Sequence, residues 1–117
     1  MNAVSEKLNN DDWKTVCQLD DLIDNIGACV LVDDKQIALF RITGSDEIYA
    51  IDNFDPFSKV NVLSRGMCGD LKSQPVVASP IYKQHFNLKT GQCLEDESIQ
   101  LSIYSVRVID GAVQIAA

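Results

Sequence analysis

Tyr104-Ser105-Val106-Arg107-Val108-Ile109-Asp110-Gly111-Ala112-Val113-Gln114-Ile115 is the stretch whose reading decides the fold. Two β-rich runs, Tyr104 to Val108 and Ala112 to Ile115, flank an Asp-Gly pair. Both residues of a tight hairpin turn must accept a positive φ, and Asp-Gly does so at little cost. The segment therefore predicts an antiparallel hairpin. Working back toward the N-terminus, Ile48-Tyr49-Ala50-Ile51 predicts a strand, preceded by a turn over Thr43-Gly44-Ser45-Asp46. Ile37 to Ile42 and Ala28 to Val32 predict a second hairpin joined by Asp33-Asp34-Lys35-Gln36, and Trp13 to Cys17 a first strand. Leu19 to Asn25 reads as one short helical segment ending near Gly27. Closely spaced short strands of this kind indicate an all-β sandwich or small barrel.

The stretch from Asn53 to Cys93 has a different texture. It carries all three prolines (Pro56, Pro75, Pro80) and predicts two loops, one from Asn53 through Pro56 toward Gly66, the other Ser79-Pro80-Ile81-Tyr82-Lys83. Val76-Val77 leads into the second loop as a strand and Gln84 to Leu88 leaves it. Lys89-Thr90-Gly91-Gln92 then predicts a turn with Gly91 left-handed. Loops on a rigid β scaffold are where binding concentrates.

Composition limits what such a domain can do. The 117 residues include 46% hydrophobic and 23% charged positions, enough for one core and unlike a disordered chain. Residues 1–11 read as a flexible acidic N-terminus without a signal-like apolar stretch, and 12–117 as a single β domain, which predicts a cytoplasmic protein. A net charge of −7 disfavours phosphate backbones, so nucleic acid is not an expected partner; nor is a membrane, since no apolar run is long enough to span one. Cys17, Cys29, Cys68 and Cys93 show no C-x-x-C spacing and are expected to be reduced and buried. Gly-rich phosphate loops and a G-x-S-x-G elbow are lacking, which argues against nucleotide binding by this chain and against a Ser79–His85 hydrolase.

At the two loops the sequence resembles the Rieske domain family. The frame Tyr49-Ala50-Ile51-Asp52-Asn53 precedes the first loop, Phe86-Asn87-Leu88-Lys89-Thr90-Gly91 follows the second, and 104–111 looks like the closing hairpin. The resemblance implies a Rieske-like small β barrel whose loops offer Cys-x-His and Cys-x-x-His to a [2Fe–2S] cluster, two thiolates for one iron and two imidazoles for the other. It places those four ligand positions at Asp55, Phe57, Ser79 and Tyr82. None is Cys or His, and Phe has no donor atom. Cys68, Cys93 and His85 do not restore the motif spacing. The expectation is a domain without metal, cofactor or catalytic residues of its own.

Asp55-Pro56-Phe57, Val62-Leu63-Ser64-Arg65-Gly66, Ser79-Pro80-Ile81-Tyr82-Lys83-Gln84 and Cys93-Leu94-Glu95-Asp96 look like the small subunit of NAD(P)H-dependent nitrite reductase. That resemblance implies an accessory, non-redox subunit assisting a large partner that reduces nitrite to ammonium in nitrate assimilation. FAD, siroheme and the iron–sulfur cluster would then reside in the partner. The alternatives are a Rieske-type electron-transfer ferredoxin with unorthodox ligands and an unrelated cluster-free binding module.

Charge supplies the docking expectation. Residues 53–93 carry a net +3 and the remainder −10. The candidate partner-binding residues are Phe57, Lys59, Arg65, Lys72, Ile81, Lys83, His85 and Lys89, with Phe54, Val60 and Val62 as further apolar candidates. Phe57 and Tyr82 are expected to plug the space a cluster would occupy. His85, on the polar side of an alternating 81–88 run with Lys83 and Asn87, is expected at the surface, and the acidic clusters Asp20-Asp21 and Glu95-Asp96-Glu97 are expected to shield strand ends.

Overall fold

The computed structural model describes residues 13–43, 47–71 and 73–116. In chain order its strands are β1 (Trp13–Gln18), β2 (Ala28–Val32), β3 (Lys35–Arg41), β4 (Ile48–Asp52), β5 (Phe54–Asp55), β6 (Val60–Asn61), β7 (Met67–Leu71), β8 (Gln74–Ala78), β9 (His85–Asn87), β10 (Ile103–Ile109) and β11 (Ala112–Ala116). The expected residues 1–11 and most of the 43–46 turn lie outside the described residues. Helical structure is limited to two 3-10 turns, Leu19–Asp21 and Leu63–Arg65. The single helical segment expected over 19–25 is therefore shorter than read, and a second turn accompanies it.

Six strands form one sheet in the order β1-β11-β10-β4-β3-β2, whose two ends approach each other to give a nearly closed barrel. Both predicted hairpins are present. The 104–115 stretch pairs Val106 with Ile115 and Val108 with Val113 across Asp110 (φ 50) and Gly111 (φ 81). The β2–β3 turn is tighter than read: Asp33 (φ 50) and Asp34 (φ 68) alone make it, and Lys35 already pairs with Val32. Short Asp side chains tolerate the left-handed region well.

A second lobe comprises the three-stranded sheet β7-β8-β9 and the two-stranded β5-β6. Strand β7 escapes sequence reading because Gly69 and Asp70 have poor strand propensity and only Cys68 turns partly inward. Its partner β8 supplies the order, pairing Met67 with Ala78 and Cys68 with Val77.

Strand β3 joins the lobes. Ile37, Ala38, Leu39 and Phe40 are all fully buried, because β3 has a core on each face. Ile37 and Leu39 fill the barrel with Val32, Ala50, Val113 and Ile115. Ala38 and Phe40 face the second lobe and pack in one cluster with Leu63, Val77, Phe86 and Leu88. Gly27 sits where a Cβ would strike the Ser64 carbonyl and the Phe40 ring, so barrel and loop close only over a bare backbone. All four cysteines are free; Cys93 is buried, but Cys29 is exposed, contrary to expectation, because β2 alternates and points Val30 and Val32 more deeply inward.

Candidate functional site

The two predicted loops have the same local build. In the first, Asp55-Pro56-Phe57-Ser58-Lys59, the Asp55 carboxylate accepts the Phe57 N–H at 2.9 Å and the Asp55 carbonyl accepts the Lys59 N–H at 2.7 Å. In the second, Ser79-Pro80-Ile81-Tyr82-Lys83, the Ser79 hydroxyl accepts the Ile81 N–H at 3.3 Å and the Ser79 carbonyl accepts the Lys83 N–H at 3.1 Å. Short polar side chains that bond to the backbone two residues on favour such turns, and Pro presets φ at the second position. Lys59 (φ 63) and Lys83 (φ 67) both end their turn in the left-handed region.

The loops meet at their first residues. Ser79 donates its hydroxyl to Asp55 Oδ2 at 2.5 Å, and both residues have no exposed surface. Burial would raise the Asp55 carboxyl, but the Ser79 hydroxyl and the Phe57 N–H stabilise its charged form and hold it below the ordinary value. Phe57 lies half-buried against Phe86, with ring centroids 6.2 Å apart and planes tilted by 47°. Phe57 thus packs inward. Tyr82 does not: it is 60% exposed, because β9 begins only at His85 and Tyr82 belongs to the turn instead of an alternating strand.

Two asparagines that composition does not single out fasten the end of the first loop and the turn that follows β9. Asn53, 2% exposed, receives the Val62 and Leu63 N–H groups on its carbonyl and the Ser64 N–H on its side chain, while its own amide donates to Gln36 Oε1 at 3.0 Å. Asn87, read as a surface residue, is buried and accepts the Lys89 and Thr90 N–H groups at 2.8 and 3.2 Å. Their signal in sequence was only their position beside a predicted loop or turn.

His85 opens β9 opposite Ala78 and is half-buried. Its backbone N–H donates to Glu95 Oε1 and its Nδ1 lies 2.7 Å from Glu95 Oε2. Glu95 is therefore no mere surface shield. Burial would raise its carboxyl, but these bonds to His85 hold it low. Asp96 caps its own turn through Ser98.

The basic candidates divide. Lys59, Lys83 and Arg65 are exposed near the end of the second lobe where the two loops lie, together with Ile81, Phe54 and Val60. Lys89 is exposed at the other end of β8, since the neighbouring Leu88 bonds to Pro75. Lys72 lies outside the described residues.

Two loops, one joining β5 to β6 and the other β8 to β9, on a second lobe beside a six-stranded barrel form the Rieske architecture. A [2Fe–2S] centre of that class takes two thiolates and two imidazoles. At the four positions where the sequence resemblance implies ligands, Asp55 and Ser79 are already bonded to each other, Phe57 offers a phenyl group and Tyr82 an exposed phenol. Among the described residues no three His, Cys, Asp or Glu side chains gather where a metal could sit. The residues present do not fit the cluster.

The family described as Rieske-like [2Fe–2S] domain matches residues 12–116. The chain is 45% identical over 103 residues to the Escherichia coli (strain K12) nitrite reductase (NADH) small subunit, covering 88% of this chain and 95% of that protein. The solution structure of the nitrite reductase NAD(P)H small subunit from Erwinia carotovora superimposes with a TM-score of 0.78 at 45% identity, over 91% of this chain and 82% of that one. A Klebsiella oxytoca nitrite reductase NAD(P)H large subunit is 38% identical over 88% of this chain, the match spanning 11% of that protein. The chain belongs to the Rieske-like domain family and, within it, to the nitrite reductase NAD(P)H small subunits.

Proposed function

We propose that this chain is the accessory, electron-silent subunit of a cytoplasmic NAD(P)H-dependent nitrite reductase, with FAD, siroheme and iron–sulfur chemistry confined to the large subunit. The observation that carries the reading is the buried Asp55–Ser79 bond, at two of the four positions where the resemblance implies ligands. It joins the two loops with a hydrogen bond, where the family's chemistry would join them through iron. The loops thus keep a fixed shape without a redox centre, which suits a positioning role. The Klebsiella oxytoca relative supports the choice of partner: a stretch of that large subunit resembles 88% of this chain, so a domain of this kind occurs within a large-subunit polypeptide.

Reconstitution tests the reading. Large subunit purified alone is expected to lose nitrite-dependent NAD(P)H oxidation, or the stability of that activity, and to regain it when this chain is added in equimolar amount. Equal turnover and equal half-life with and without the chain would reject the role.

A further inference from the structure

Seven non-glycine residues among those described have a positive φ. Five are Asn25, Asp33, Asp34, Ser73 and Asp110, short polar residues suited to turns. The other two are Lys59 and Lys83. They occupy the same fifth position of the two matched turns, each closing the backbone ring onto Asp55 or Ser79. Glycine is the usual residue where a turn ends left-handed, because a Cβ there is strained. A long charged side chain at both places points to a use outside the fold.

Neither lysine has a carboxylate partner among the described residues; Lys83 Nζ reaches only the Pro80 carbonyl, at 3.4 Å. Around them Phe54, Val60, Ile81 and Tyr82 are between 43% and 60% exposed. The Asp55–Ser79 bond couples the two turns, so the lysines are displayed in fixed relation. The rest of the chain, with its net −10, would repel an acidic surface approaching from another side.

We infer that the twin turns form a two-pronged docking tip, with Lys59 and Lys83 engaging a carboxylate-bearing, partly apolar surface of the large subunit. This deepens the proposed function and rests on it. Phe57 and His85 serve the tip from within, through Phe86 and Glu95, while Ile81 and Tyr82 supply apolar contact. Lys89 lies outside it.

The test is a binding titration of the large subunit with the full chain, with K59G/K83G and with K89A, at low and high ionic strength. Glycine relieves the left-handed positions, so the melting temperature of K59G/K83G is expected to equal or exceed the parent's. Its affinity at low salt is expected to fall roughly fivefold to thirtyfold, with a flatter salt dependence. K89A should match the parent. Parent-like affinity of K59G/K83G, or a lowered melting temperature showing that the lysines serve the fold, would overturn the docking tip while leaving the small-subunit reading intact. Failure of the parent chain to bind would instead reject that reading and the tip with it. Self-association of the free chain that K59G/K83G abolishes would reassign the tip to a second copy and overturn the proposal.

Discussion

Ser79→Ala is expected to lower the free energy of unfolding by about 1.5–3 kcal/mol at neutral pH, the range for a hydrogen bond to a charged group. The hydroxyl is the bond that joins the two loops, and removing it leaves the Asp55 carboxylate buried with one donor fewer. The effect has a pH signature. Asp55 titrates below its ordinary value in the folded protein, so the stabilisation it gains is fully present above the unfolded value, about 3.9. It is lost as the pH falls through the folded value. The gap between parent and variant should therefore be constant near neutrality and close on acidification. Urea unfolding at a series of pH values checks both parts. A gap below about 0.5 kcal/mol, or one that persists once the carboxylate is protonated, would contradict the assignment of the bond.

Phe86→Ala carries a larger expected cost, about 3–5 kcal/mol. Phe86 is fully buried in the middle of β9, opposite Val77, and its ring supports Phe57 from below. Truncation opens a cavity in the cluster that holds Ala38 and Phe40 of β3 and Val77 of β8, residues of both lobes, so the barrel and the loop-bearing sheet cannot both relax into it. Domains of this size hold about 5–15 kcal/mol in total, so the variant should be marginal at room temperature. Phe86→Leu should recover much of the loss. Equilibrium denaturation measures the series; a cost below about 1 kcal/mol for the alanine variant would show that Phe86 does not link the lobes.

How far the sequence could be read depended on whether the cause was local. Asp110-Gly111 and Asp33-Asp34 specify hairpins through their own φ preferences, and the structure contains both. The apolar run from Ile37 was legible as a strand, but its burial on both faces came only with the second lobe that packs on Ala38 and Phe40. Strand β7 had no such local cause; it depends on β8 and could not be read from Met67 to Leu71 alone. Tyr82 was misplaced because strand alternation was extended through residues that form a turn closed by Lys83 onto Ser79. At the site, the absence of Cys and His from positions 55, 57, 79 and 82 was legible residue by residue. That Asp55 and Ser79 would bond to each other was not, since 24 positions separate them and only the folded lobe brings them together. The likeness of the two turns was present in the sequence as Asp-Pro-Phe-Ser-Lys and Ser-Pro-Ile-Tyr-Lys, but its meaning needed the backbone.

The proposed role requires that the Asp55–Ser79 hydrogen bond, and no iron, joins the two loops. Iron and acid-labile sulfide analysis, with the visible spectrum, of the chain isolated without air from iron-replete cells tests it most directly. A colourless protein without stoichiometric iron or sulfide is expected. Iron and sulfide at [2Fe–2S] stoichiometry, with a visible band that bleaches on reduction, would contradict it.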